Sequence, residues 1–174
     1  MVQIGESVAT LATPLEHLVA CHRRLEQRLA TFVKAGAALE AKPQQALEAI
    51  ASAIRFMDTN GAWHTEDEEE SVFPRLKPYL TAQETTFVER LQAEHLEAEG
   101  LYVALKATVP ELPGAKAAYL ALAARMQAVY RGHIQAEEEI LLELARRDLQ
   151  TPELDAIAVE MRARRFSITE EETC

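Results

Sequence analysis

Four of the chain's five histidines, His22, His64, His95 and His133, sit where a core leucine would otherwise be, each on the apolar stripe of a different predicted helix. A polar side chain in a helix core costs roughly 1–3 kcal/mol unless it finds partners, so four imidazoles placed there must meet something they bind. Carboxylates follow three of them by four residues: Glu68 after His64, Glu99 after His95 and Glu137 after His133. At helical pitch that spacing stacks both side chains on one face. Each such helix offers one nitrogen and one oxygen, and the constellation reads as a metal site.

The periodicity is helical almost throughout, and no useful length of chain alternates as a strand does; the fold class is all-α. Thr13-Pro14-Leu15-Glu16 opens the first predicted helix with an N-cap threonine, a proline at the first helical position and a capping-box glutamate. Its stripe is Leu15, Leu18, His22, Leu25, Leu29 and Phe32, with Gly36 near its end. The second helix carries Leu47, Ile50, Ile54, Met57, Gly61, His64 and Glu68 in phase. It is expected to end near Phe73-Pro74, because proline disfavours helix at the residue before it. A capping box at Thr81-Ala82-Gln83-Glu84 opens the third, whose stripe is Val88, Leu91, His95, Ala98 or Glu99, Tyr102 and Leu105.

After breaks at Val109-Pro110 and Pro113-Gly114, a fourth helix runs from about Ala115 to Asp148. One face carries Tyr119, Leu122, Met126, Tyr130, His133, Glu137, Ile140 or Leu141, and Leu144. Four long helices with short joints predict an up-down-up-down four-helix bundle over about residues 12–148. Thr151-Pro152 starts a short C-terminal helix over about residues 152–166. The histidine comes near the start of the stripe in helices one and three and late in helices two and four, so antiparallel neighbours bring all four to a similar level.

The 174 residues suit one core and a single domain, residues 1–174. A formal charge of −10 argues against nucleic acid or an anionic membrane as partner, since both demand clustered Lys and Arg. Cys21 and Cys174 form no disulfide framework, which fits a reduced, cytoplasmic setting. No apolar run approaches the roughly 18 residues needed to span a bilayer. The N-terminal stretch, with Glu6 and no basic region before an apolar one, does not read as a secretory signal. The sequence leaves the oligomeric state open, and the C-terminal helix, ending in Arg162, Arg164 and Arg165, suits packing on the bundle or a dimer contact equally.

The remaining polar residues receive plainer readings. His17 precedes His22 by five residues, a rotation of roughly 140° at helical pitch, so it is expected at the surface or at an interface. Within Glu66-Asp67-Glu68-Glu69-Glu70 only Glu68 shares the face of His64, and the others are expected to form a solvated face. In Glu137-Glu138-Glu139 the spacing of four favours Glu137, with Glu138 the substitute if the helix is locally overwound. Tyr102 and Tyr130 are expected to fill the core, with a pocket-lining role as the alternative; Met57, Met126 and Trp63 are read as packing.

The run His64-Thr65-Glu66-Asp67-Glu68-Glu69-Glu70-Ser71-Val72-Phe73-Pro74 and its echo His133-Ile134-Gln135-Ala136-Glu137-Glu138-Glu139-Ile140-Leu141-Leu142 resemble the paired motifs of hemerythrin-like, HHE cation-binding domains. Cys21-His22-Arg23-Arg24-Leu25 and Glu94-His95 are also similar to that family, and the resemblance covers about residues 10–150. It implies that His22, His64, His95 and His133 are terminal ligands and that Glu68 and Glu137 bridge two iron ions. The oxygen-carrying members place a second histidine one turn after the first on helix three, where this chain has Glu99. Their last helix uses aspartate at a spacing of five, where this chain has Glu137 at four. Both departures speak against reversible oxygen carriage.

Imidazole and carboxylate without thiolate suit iron, manganese or zinc rather than copper(I), and bridging carboxylates hold two metals roughly 3.5–4 Å apart. Four imidazoles, two bridging carboxylates and Glu99 fill about nine of the twelve positions of an octahedral pair. The remainder suits an oxo or hydroxo bridge and one exchangeable ligand. The expectation is therefore a non-haem di-iron protein that binds, senses or scavenges dioxygen, nitric oxide or peroxide. The alternatives are a di-iron oxidase or peroxidase drawing a proton or electron from Tyr102 or Tyr130, and an iron storage or plain helical interaction protein.

Overall fold

The computed structural model describes residues 10–166, and the start and stop signals of the sequence resolve there into five helices with no strand among the described residues. Helix α1 is Pro14–Ala38, α2 spans residues 43–76, α3 is Ala82–Thr108, α4 spans residues 116–148 and α5 is Thr151–Phe166. Pro14 and Pro43 occupy first turns, where the missing amide is no loss. At α3 the expected capping box forms: the Thr81 hydroxyl accepts from the Glu84 amide, and the Glu84 carboxylate accepts from the Thr81 amide at 2.8 Å. The Thr13 side chain makes no such cap, so α1 begins on Pro14.

Neither α2 nor α4 is a regular α-helix. Three wider π turns interrupt them, at Met57–Gly61, Asp67–Val72 and Glu137–Leu141. In each, an amide reaches back five residues: Ala62 to the Met57 carbonyl, Phe73 to Glu68 and Leu142 to Glu137. Turns of this kind concentrate at functional sites. The second corrects the expected end of α2. The widened turn before Phe73-Pro74 relieves the proline ring's usual clash with the preceding turn, and the helix continues to Leu76.

α1 packs against α2 and α4, and α3 packs against α4. Two apolar clusters form the core. One contains Leu25, Leu29, Phe32, Ile50, Met57, Leu105, Tyr119 and Met126; the other contains Leu18, Val72, Leu76, Leu91, Leu141, Ile157 and Met161. In sequence, α1 and α3 pass from the second cluster to the first, and α2 and α4 pass back. His64 and His95 lie on their helices between the residues of one cluster and those of the other, and His22 and His133 lie at the same boundary, each next to a first-cluster residue, Cys21 and Ile134. A polar layer therefore separates two apolar ones.

α1 and α4 approach closely at Gly36, where an added Cβ would lie 2.7 Å from the Tyr119 ring. On α2 the buried stripe is Ala46, Ile50, Ala53, Phe56 and Met57, and the expected Leu47 is exposed. Met57 and Met126 are packing residues as expected, and Cys21 is buried. Cys174 and Glu6 lie outside the described residues. No helix among the described residues is long and apolar enough to cross a membrane.

α5 lies against α1 and against the π turn 67–72 of α2. It overturns the surface reading of His17, which is fully buried. The rotation from His22 is as expected, but α5 covers the face to which it leads. Burial, reinforced by the nearby charges of Arg165, Arg24 and His64, pulls the His17 imidazole down to about 3. Asp67 is likewise buried rather than solvated, because α5 brings two arginines to it. Arg164 donates to one oxygen at 2.9 Å and Arg165 to the other at 2.8 Å. The Arg165 guanidinium also lies 5.6 Å from the Trp63 ring.

Candidate metal centre

In the polar layer the carboxylates of Glu68 and Glu137 lie among the four imidazoles, and all six residues are buried. Glu68 turns Oε1 toward Nε2 of His64 at 3.6 Å and of His22 at 3.9 Å, and Oε2 toward Nε2 of His95 at 3.3 Å. Glu137 turns Oε2 toward His22 Nε2 at 3.1 Å, and Oε1 toward His133 Nε2 at 2.8 Å and His95 Nε2 at 3.9 Å. The ring nitrogens of His95 and His133 approach one another to 2.8 Å. Each carboxylate thus shows one oxygen to the His22 and His64 half and the other to the His95 and His133 half.

Both π turns nearest the layer begin at these acids, in that the backbone carbonyls of Glu68 and Glu137 accept the five-residue bonds. The wider turn keeps each carboxylate on the face of the histidine four residues earlier while Val72 and Leu141 downstream remain in the core.

The outer nitrogens follow a second pattern. Glu69 of α2 holds His95 Nδ1 of α3 at 2.8 Å, and Glu94 of α3 holds His133 Nδ1 of α4 at 2.9 Å. Glu138 of α4 holds His22 Nδ1 of α1 at 3.0 Å. A carboxylate on the far nitrogen fixes ring orientation and raises imidazole basicity, the usual support behind a metal-bound histidine. His64 is the exception, its Nδ1 having no hydrogen-bond partner among the described residues.

Sequence reasoning missed Glu69 and Glu94 and gave Glu138 only as a substitute for the favoured Glu137, whereas it supports His22. All three are immediate neighbours of a histidine or carboxylate of the layer, a signal that was there to be used. Glu99 does not join the layer. The buried stripe of α3 passes through Ala98, and Glu99 is exposed one position off it.

The electrostatics show what the layer demands. Burial opposes charge on His22, yet the carboxylates of Glu137 and Glu68 beside it push its imidazole up to about 10. Burial is likewise overcome at His95, which Glu68 and Glu69 raise to about 9, and at His133, which Glu137 raises. At His64 burial prevails and lowers it. Against its own burial, the Glu68 carboxyl is held well below the usual range by His64, His22 and His95. Two buried carboxylates therefore call for positive charge between them, from protons or from a cation.

The donor set fits a cation. The four carboxylate oxygens and His22 Nε2 are buried without a hydrogen-bond partner among the described residues, an arrangement whose cost a metal would remove. Two groups, His22, His64, Glu68 and Glu137, and Glu68, His95, His133 and Glu137, each present ligand atoms within 4.8 Å of one another. The carboxylates are common to both.

A cavity of about 390 Å³ opens beside the layer, with Thr65, Glu69, His95, Glu99, Tyr102 and Tyr130 in its wall. Glu99 therefore faces this outer space rather than the buried ligand atoms. A smaller groove of about 190 Å³ lies behind Glu138, lined among others by Arg23 and Gln135.

Compared with known families, residues 13–145 match the hemerythrin HHE cation-binding domain. No curated protein of similar sequence matches the chain.

Proposed function

The chain belongs to the hemerythrin HHE cation-binding domain family, and from that premise we propose that it is a non-haem di-iron protein which binds dioxygen, nitric oxide or peroxide. On this reading the four long helices form the family's up-down-up-down bundle. His22 and His64 hold one metal, His95 and His133 the other, and Glu68 and Glu137 span the two. The observation that carries it is the two-faced presentation of the carboxylates. Each offers an oxygen to either half, which a single ion would not require.

Bound iron would supply a redox-capable centre with room for an exogenous ligand. With Glu99 outside the layer, the four imidazoles and two carboxylates are the groups that would hold the metal. The protein's part is to hold these groups in place and keep them dry. Glu69, Glu94 and Glu138 fix three of the four rings, and the apolar clusters on either side exclude water.

Metal analysis of the purified protein, with visible spectra taken reduced, in air, and with nitric oxide, azide or peroxide, tests this reading. About two irons per chain and a spectrum that answers to these ligands are expected. One zinc, no metal, or an iron-loaded protein indifferent to every ligand would overturn it.

A further inference from the structure

Two depressions approach the polar layer from outside, and they differ in what they reach. The larger borders His95 directly. The smaller stops at Glu138, whose carboxylate is bound on one side by His22 and on the other by Arg23, and touches none of the six inward groups. The ligand count does not distinguish the two halves of the layer, since each offers two imidazole nitrogens and two carboxylate oxygens. Access does distinguish them.

Two tyrosines stand in the wall of the larger cavity. The Tyr102 hydroxyl is committed, donating to Asp58 Oδ1 at 2.7 Å and lying 3.1 Å from the Ile54 carbonyl, while Lys106 holds the same Asp58 oxygen at 2.7 Å. The Tyr130 hydroxyl has no hydrogen bond among the described residues, although the ring is half-buried. Tyr130 lies on α4 three residues before His133 and seven before Glu137, on the face that carries both.

We propose that an exogenous ligand reaches the metal pair at its His95 and His133 half, through the cavity walled by Thr65 and Tyr102, and that the Tyr130 hydroxyl donates the hydrogen bond that receives it. The inference rests on the di-iron reading above and adds the side of entry and the positioning residue. Burial pushes the Tyr130 phenol up, so it keeps the proton it would donate.

The test uses nitric oxide as the probe, on the full chain loaded with ferrous iron, followed by stopped-flow absorbance and by the infrared N–O stretch in H₂O and D₂O. Thr65→Trp, which fills the cavity, is expected to slow nitric oxide association about tenfold or more, as a blocked approach does. Gln135→Trp, in the smaller groove, is expected to leave it unchanged. Leu96→Trp, at a rim position 70% exposed, repeats the obstruction without disturbing a packed residue. Tyr130→Phe is expected to keep the iron content, speed nitric oxide release about fivefold, the loss of one ordinary hydrogen bond, and abolish the D₂O shift of the N–O stretch.

Nitric oxide association at the wild-type rate in both Thr65→Trp and Leu96→Trp, or slowed by Gln135→Trp instead, would overturn the entry route. An unchanged D₂O shift in Tyr130→Phe would overturn the role of Tyr130. A two-iron wild-type protein that takes up no nitric oxide would overturn the ligand-binding reading itself, and this inference with it.

Discussion

The apolar cluster around Phe32 and Tyr119 and the polar layer around Glu68 and Glu137 are built by the same helices a few turns apart, yet they are held on opposite terms. In the first, regular α-helix brings leucine, isoleucine and aromatic side chains together, and Gly36 lets two helices close to the Tyr119 ring. Burial of apolar surface stabilises that region without further help. In the second, the π turns of α2 and α4 hold two carboxylates among imidazoles from all four long helices, with carboxylate oxygens that have no hydrogen-bond partner among the described residues. Removing such groups from water is unfavourable unless something binds them. The contrast teaches that the apolar cluster carries the fold, while the polar layer is tolerated for what it can hold.

Loading the metal separates the two regions most directly. Ferrous iron at about a thousand times its dissociation constant is expected to stabilise the protein by about 4 kcal/mol per ion. Calorimetry of loaded and chelated protein checks this, and Glu137→Ala should lose most of the increment. If chelated and loaded protein melt alike, the polar layer is as self-sufficient as the apolar cluster and the contrast fails. Phe32→Ala should instead cost about 3–5 kcal/mol, equally in both states, and leave iron content unchanged.

A smaller effect sharpens the boundary between layer and surroundings. Asp67→Asn leaves Arg164 and Arg165 without their shared buried carboxylate and should cost up to about 3 kcal/mol. Hydrogen exchange is expected to rise in the π turn 67–72 and not around Leu105. The smallest effect lies outside both regions. Against little burial, Arg147 and the Thr81 amide hold the Glu84 carboxyl down to about 2 from the ordinary 4.5. Its contribution is full above about 4.5 and is lost as pH falls toward 2. Glu84→Gln should therefore melt below wild type at neutral pH, and the two curves should converge in acid, with iron content untouched throughout.

Local pattern carried much of this. The capping box at Thr81, the four helix stripes and the pairings of His64 with Glu68 and His133 with Glu137 depend on residues within a turn or two of one another, and the structure brings those four side chains together with His22 and His95. What the sequence did not disclose was tertiary. Asp67 reads as part of a solvated acidic run until Arg164 and Arg165, 97 and 98 residues later, fold over it, and the same helix conceals His17. Glu138 lies next to a residue of the layer but serves a ring on another helix. Glu99 failed for a subtler reason: a spacing of four from His95 is necessary for a shared face, but the stripe of α3 runs through Ala98. The continuation of α2 past Phe73-Pro74 was hidden by a π turn, which no propensity argument anticipates.

Those π turns have a consequence for how such a chain can vary. Each holds one residue more than the α turn it replaces, yet Val72 at the end of one and Leu76 beyond it, and Leu141 at the end of the other and Leu144 beyond it, still face the core. Length and helical phase are thereby uncoupled at the two places where the carboxylates stand. A single-residue deletion there, unlike one in the middle of α1 or α3, could be absorbed by a return to ordinary α-helix with the downstream contacts kept. The fold would survive and the aim of the carboxylate would not. In a lineage of such chains, the capacity to hold metal could be gained or lost by one codon without passing through an unfolded ancestor.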